Sequence, residues 1–139
     1  MTVPRLAAAV LLLVIASACT PTGTATRPAG TAADGAPSDR IDVGLTDFAI
    51  ATSNARVVMG TVTMDITNAG ATAHDLRVDG GGIDERSEVL PPGATTMVSV
   101  ATDGADALTL WCSLPGHRRQ GMETTLSVMN RPRGGANAP

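Results

Sequence analysis

Leu108-Thr109-Leu110-Trp111-Cys112-Ser113-Leu114-Pro115-Gly116-His117-Arg118-Arg119-Gln120-Gly121-Met122-Glu123-Thr124-Thr125-Leu126-Ser127-Val128 reads as a strand, a loop and a second strand. Apolar and polar residues alternate over Leu108 to Cys112 and again over Thr125 to Val128, the period of a half-buried strand. Pro115, Gly116 and Gly121 interrupt that alternation and mark a tight loop. Upstream, the same short pattern returns in Ile41 to Leu45, Arg56 to Met59, Val62 to Ile66, Leu76 to Val78 and Met97 to Val100. Turns are signalled at Asn68-Ala69-Gly70, Asp79 to Gly82, Pro91-Pro92-Gly93 and Asp103-Gly104, where glycine supplies a positive φ or proline a fixed bend. No long stretch repeats at helical spacing, and the only place left for a helical turn is within Gly82 to Glu88. The reading is an all-β sandwich of seven or eight strands.

The loop between the last two strands carries Cys112, His117 and Met122 at intervals of five residues. A cysteine at a strand end, a histidine on the loop and a methionine where the chain re-enters the next strand converge when a tight loop folds back on itself. Thiolate, imidazole and thioether together form a soft donor set that suits copper, and a trigonal His₂Cys site with a weak axial Met is the blue-copper arrangement. Such a site needs one more histidine. The chain has two in all, and the other is His74, which follows the turn Asn68-Ala69-Gly70 and opens a strand.

These residues resemble a known family. Cys112-x4-His117-x4-Met122, with Pro115-Gly116 ahead of the histidine and Gly121 ahead of the methionine, looks like the copper loop of small cupredoxins, the type 1 blue copper proteins. Asn68-x-Gly70-x3-His74 and Leu126-x-Val128 sit where that family places its first histidine ligand and its last strand, so the resemblance covers Asp42 to Met129. It implies a Greek-key β-sandwich holding one copper ion that cycles between Cu(I) and Cu(II). His74, Cys112 and His117 would be equatorial ligands and Met122 the axial one. Two departures stand out. The residue after the first histidine, often Asn or Ser in the family, is Asp75, whose carboxylate would favour Cu(II) and lower the reduction potential if it points inward. The aromatic that is common two residues before the cysteine is replaced by Leu110, which leaves Trp111 as the aromatic next to the site.

Other readings of the same residues stay open. Cys112 is an inert buried thiol or a disulfide partner of Cys19 in one of them, with His117 an ordinary loop residue. Zinc accepts Cys and His, although Met serves it poorly. Met59, Met64, Met97 and Met129 do not cluster along the chain and read as core filler rather than as a Cu(I) depot. Arg118 and Arg119 either meet an acidic partner or are merely solvated.

The function expected from this is one-electron transfer, the partner meeting an apolar patch of Leu114, Pro115 and Gly116 with Arg118 and Arg119 beside it. Donor and acceptor would be redox proteins that dock transiently on a monomer. The alternative is copper delivery or scavenging with the same ligands. An enzyme is not expected and no catalytic residue is assigned, because further copper centres and a Ser-His-Asp triad both need histidines beyond His74 and His117.

The N-terminus places this chemistry outside the cytoplasm. Residues 1–18 hold Arg5, an apolar run from Leu6 to Ile15 and the small residues Ala16-Ser17-Ala18, a secretory signal too short to persist as a membrane span. Cys19 follows directly, as in the lipobox of bacterial lipoproteins, so the expectation is a lipid-anchored protein at the cell membrane with lipid as its only attachment. An ordinary signal with a chance cysteine would make the protein secreted or periplasmic. Residues 19–39 read as a disordered tether, 40–130 as the folded domain and 131–139 as a disordered tail. The 139 residues include ten arginines and no lysine against 13 acids, a net charge of −3, which speaks against nucleic-acid binding.

Overall fold

A computed structural model describes residues 35–131. The expected signal segment and Cys19 lie outside the described residues, as do most of the expected tether and residues 132–139. Among the described residues nine strands form: β1 (Arg40–Thr46), β2 (Ala49–Thr52), β3 (Arg56–Val58), β4 (Thr61–Asn68), β5 (Arg77–Gly80), β6 (Ile83–Arg86), β7 (Thr95–Ala101), β8 (Ala107–Trp111) and β9 (Glu123–Met129). One sheet has the order β2-β1-β4-β7 and the other β3-β9-β8-β5-β6. Pairing is antiparallel except for β1 with β4 and β3 with β9, which lie parallel because the chain crosses between sheets before returning.

The alternation in the sequence sets which faces meet. Ile41, Val43 and Leu45 of β1 and Val62, Met64 and Ile66 of β4 point inward from one sheet. Leu108 and Leu110 of β8 and Leu126 and Val128 of β9 point inward from the other, and these residues form one continuous core. Burying each large aliphatic side chain stabilises the fold by about 1.5–3 kcal/mol, which is why the period-2 pattern fixes both sheets' register.

Two strands were not signalled by the sequence. β2 is four residues long with Ile50 its one large apolar residue, and β6 runs Ile-Asp-Glu-Arg along a sheet edge with three of its four residues exposed. β6 occupies the stretch where a helical turn was compatible; among the described residues the only helix is one 3₁₀ turn at Arg118–Gln120, inside the loop between β8 and β9. An edge strand with a solvated outer face has no need of apolar alternation, so its pairing with β5 is a tertiary fact. The methionines also differ from expectation. Met64 is core, but Met59, Met97 and Met129 are 36%, 59% and 42% exposed.

The chain already lies on the body before residue 40. Asn54 Nδ2 donates to the Ala36 carbonyl at 2.7 Å, and Ser38 makes a parallel bridge with Val57. Arg131 reaches Asp39 at 3.6 Å, so β1 enters and β9 leaves at one pole of the sandwich. The opposite pole gathers Asp47 after β1, the segment after β4, Cys112 after β8 and the start of β9.

Leu108→Ala should cost about 2–5 kcal/mol, read as a lower denaturant midpoint at unchanged slope, whereas Met97→Ala should stay within about 0.5 kcal/mol of wild type.

Candidate metal centre

Cys112 is placed by strand parity. It continues the inward series Leu108, Leu110 one residue beyond β8 and is fully buried. The loop after it is closed by its own backbone: the Cys112 N–H donates to the Met122 carbonyl at 3.2 Å, and the Met122 N–H donates to the His117 carbonyl at 3.2 Å. The 3₁₀ turn ends at Gly121, whose φ of 103° is a left-handed value that a side chain would strain. His117 is thereby turned back toward Cys112.

His74 arrives from the other side, on the crossing between β4 and β5. Its backbone pairs with Leu90 through two hydrogen bonds of 3.1 and 2.7 Å. Asn68, wholly buried, braces the turn ahead of it: Nδ2 donates to the carbonyls of Thr72 and Leu90 at 2.9 and 2.8 Å, and Oδ1 accepts from the Gly70 N–H at 2.9 Å.

The result is three donor atoms facing one point. His74 Nδ1 lies 3.2 Å from His117 Nδ1, and Cys112 Sγ lies 3.4 Å from His117 Nδ1. One ring nitrogen from each histidine and the cysteine Sγ all lie within 4.8 Å of one another. His74 and Cys112 are buried and His117 is half-buried. Two nitrogens and one sulfur converging this closely fit one type 1 copper ion. Met122 is fully buried at the loop's return, with its backbone tied to both Cys112 and His117.

Burial pushes the Cys112 thiol above its ordinary pKa. Backbone N–H groups of Asp75 and Leu114 donate toward the sulfur and offset part of this, while the Asp75 carboxylate adds to it. That carboxylate is directed at the chain after the cysteine. It accepts from the Ser113 N–H at 2.6 Å and from the Ser113 hydroxyl, so Asp75 ties the His74 segment to the Cys112 strand end.

Two residues at the centre had no functional signal in the sequence. Asp47, in the turn between β1 and β2, has its Oδ1 3.0 Å from His74 Nε2, and its carboxylate accepts from the Ala71 N–H at 2.6 Å and from the Thr72 N–H at 3.2 Å. Its carboxyl is held down to about 2, first by the Thr72 hydroxyl and then by the Ala71 N–H. Phe48 stands edge-on to both imidazoles, 6.4 Å from His74 and 4.9 Å from His117 between ring centres. Phe48, not Trp111, is the aromatic against the donors. Trp111 has the opposite strand parity and lies on the outer face, where its indole N–H donates to Asp79 at 2.6 Å and Arg118 stacks over it at 4.4 Å.

Around His117, Leu114 packs against the core and Pro115 is exposed. Arg118 is engaged with Glu123 as well as with Trp111, and Arg119 is exposed.

No family model and no curated protein matches the sequence. Solved structures do match in shape. Dithionite-reduced auracyanin from the photosynthetic bacterium Roseiflexus castenholzii superposes with a TM-score of 0.61 at 17% identity over 68% of this chain and 99% of that one. Auracyanin B gives 0.54 at 16% identity over 73% and 96% of the two chains. A multicopper oxidase gives 0.50 at 15% identity, covering 66% of this chain and 42% of that one. The fold is that of the cupredoxins, as the loop resemblance implied.

Asn68→Ala removes the acceptor of the Gly70 N–H and the side-chain donor to the Thr72 carbonyl, and leaves the Leu90 carbonyl with the His74 N–H as donor; it should destabilise the domain by about 1–3 kcal/mol, measured by urea unfolding, with the metal-binding pole the first region to lose amide protection.

Proposed function

We propose that this cupredoxin-fold domain carries single electrons outside the cytoplasmic membrane, with one type 1 copper that His74, Cys112, His117 and Met122 would hold. The observation that carries the reading is the convergence of two Nδ1 atoms and one Sγ at one pole of a closed sandwich. Copper in such a site supplies one-electron cycling between Cu(I) and Cu(II). The protein's part is to keep the donors in one arrangement through that cycle. Cys112 is held by strand parity, His74 by Leu90 and Asn68, and His117 by a loop closed on itself.

Burial favours the carrier over a delivery protein. His74, Cys112 and Met122 are wholly enclosed, so releasing the ion requires the loop from Ser113 to Gly121 to open. Half-buried His117 is the donor nearest solvent, with Leu114, Pro115 and Gly116 beside it as the contact for a redox partner. Arg119 remains for an acidic partner, Arg118 being taken up by Glu123 and Trp111.

Several observations argue against an enzyme. Both histidines of the chain are in one site, and the likeness to a multicopper oxidase spans less than half of that chain. Export follows from the signal-like segment at residues 1–18, and anchoring through Cys19 from the small residues before it. No helix among the described residues is long and apolar enough to cross a membrane. Both ends of the described chain lie at the pole opposite the donors, so an N-terminal tether would leave His117 unobstructed.

The soluble domain should bind one Cu(II) with an intense visible band and cycle reversibly at an electrode. Cys112→Ser should abolish that band and keep the β circular-dichroism signal, while Met122→Gln should keep the colour and lower the potential. Copper that a chelator strips within seconds from the wild type would favour delivery; a band that survives Cys112→Ser would remove the cysteine from the ligand set.

Uptake of Cu(II) at neutral pH should release about one proton per protein, because a thiol raised by burial must ionise to bind. Weakly buffered titration reads this directly, and the release should disappear in Cys112→Ser.

A further inference from the structure

The geometry points to Asp47 as the positioning residue of the metal centre: its carboxylate takes the Nε2 proton side of His74, turns the Nδ1 lone pair toward Cys112 and His117, and sets a negative charge one imidazole ring away from the metal. This rests on the copper reading above and concerns a residue outside the ligand set.

The argument is proton accounting. Two groups face His74 Nε2: Asp47 Oδ1 at 3.0 Å and Thr72 Oγ1 at 3.4 Å. The Thr72 hydroxyl donates its hydrogen to Asp47 Oδ1 and so presents only lone pairs to the imidazole. Both neighbours of Nε2 are therefore acceptors, and the ring satisfies them by carrying its hydrogen there. A neutral imidazole protonated at Nε2 has its lone pair at Nδ1, the atom 3.2 Å from His117 Nδ1 in the donor cluster. Because His74 is wholly buried, water does not compete for either nitrogen.

Asp47 is itself held from three further directions, by the Ala71 N–H, the Thr72 N–H and the Thr72 hydroxyl, so its carboxylate does not swing to follow the ring. Gly70 leaves room for this contact. A Cβ there would lie 2.7 Å from His74 Nε2 and 3.1 Å from Asp47 Oδ1, wedged into the hydrogen bond. Gly70 has no positive φ, so space alone, not backbone freedom, calls for glycine at this position. A carboxylate hydrogen-bonded to the remote nitrogen of a ligating histidine fixes its tautomer and raises its basicity. The added negative charge stabilises Cu(II) more than Cu(I). Asp75 acts elsewhere in the centre: its carboxylate accepts from Ser113 and lies beside the Cys112 thiol, and it is not among the groups that face His74 Nε2.

The test compares wild type with Asp47→Asn, which keeps the shape and removes the charge, and with Gly70→Ala, which keeps the charge and displaces the contact. On metal-free protein, ¹⁵N-edited long-range spectra should show His74 in wild type with its proton on Nε2 and should show that preference weakened in both variants. On the copper form, Cu(II) affinity should fall by about 10–100-fold in both, with less change for Cu(I). Each tenfold of that difference raises the potential by about 59 mV. An Nδ1-protonated His74 in wild type, or tautomer and potential unchanged in both variants, overturns the proposal. If wild type takes up no copper, the copper reading fails, while the tautomer of the metal-free protein still decides the role of Asp47.

Discussion

The metal-binding pole hangs on the seam between the two sheets. Cys112 belongs to the sheet of β8 and His74 to the crossing that leaves β4 in the other sheet, so their separation is set by how tightly the inner faces close. That closure is close-packed aliphatic burial, with Leu45, Met64, Leu108 and Leu110 excluded from solvent. Where the core ends, buried polar groups take over. Asn68 joins the His74 segment to Leu90, and Asp75 joins it to Ser113. Every buried side-chain nitrogen and oxygen among the described residues finds a partner, as the pole of a rigid site requires.

Carboxylates distinguish this pole. Asp47 lies behind His74 and Asp75 lies beside Cys112, so two negative charges flank a donor set whose thiolate adds a third. Both carboxylates add to the negative charge that a bound cation would offset. Both acids also hold backbone in place: Asp47 takes the Ala71 and Thr72 N–H groups and Asp75 the Ser113 N–H. Charge and scaffold therefore reside in the same side chains.

The body is polarised along its length. Chain entry and exit lie at one pole and the donors at the other, with Phe48, Leu114 and Pro115 around half-buried His117. On the flank, Trp111 is enclosed by Arg118 and Arg77, one residue from the cysteine but on the outer face. Adjacent residues of a strand point to opposite sides, so nearness in sequence to Cys112 brought Trp111 no contact with the donor cluster.

The sequence by itself determined the sandwich and the group His74, Cys112 and His117. Period-2 alternation is a local property, and with two histidines in the chain the spacing of Cys112, His117 and Met122 points to His74 as the second imidazole. It did not reveal β2 and β6, because short or edge strands bury too little to impose a pattern. It read Met59, Met97 and Met129 as core because composition does not say which face of a strand a residue takes. Asp47 and Phe48 were decided by tertiary structure alone. Asp47 stands 27 residues from His74, and Phe48 stands 26 and 69 residues from the two imidazoles it faces; the parallel pairing of β1 with β4 carries their turn to the metal-binding pole. A hydrogen bond between a turn carboxylate and a distant imidazole leaves no periodicity in the chain, since its partners are chosen by packing and not by spacing.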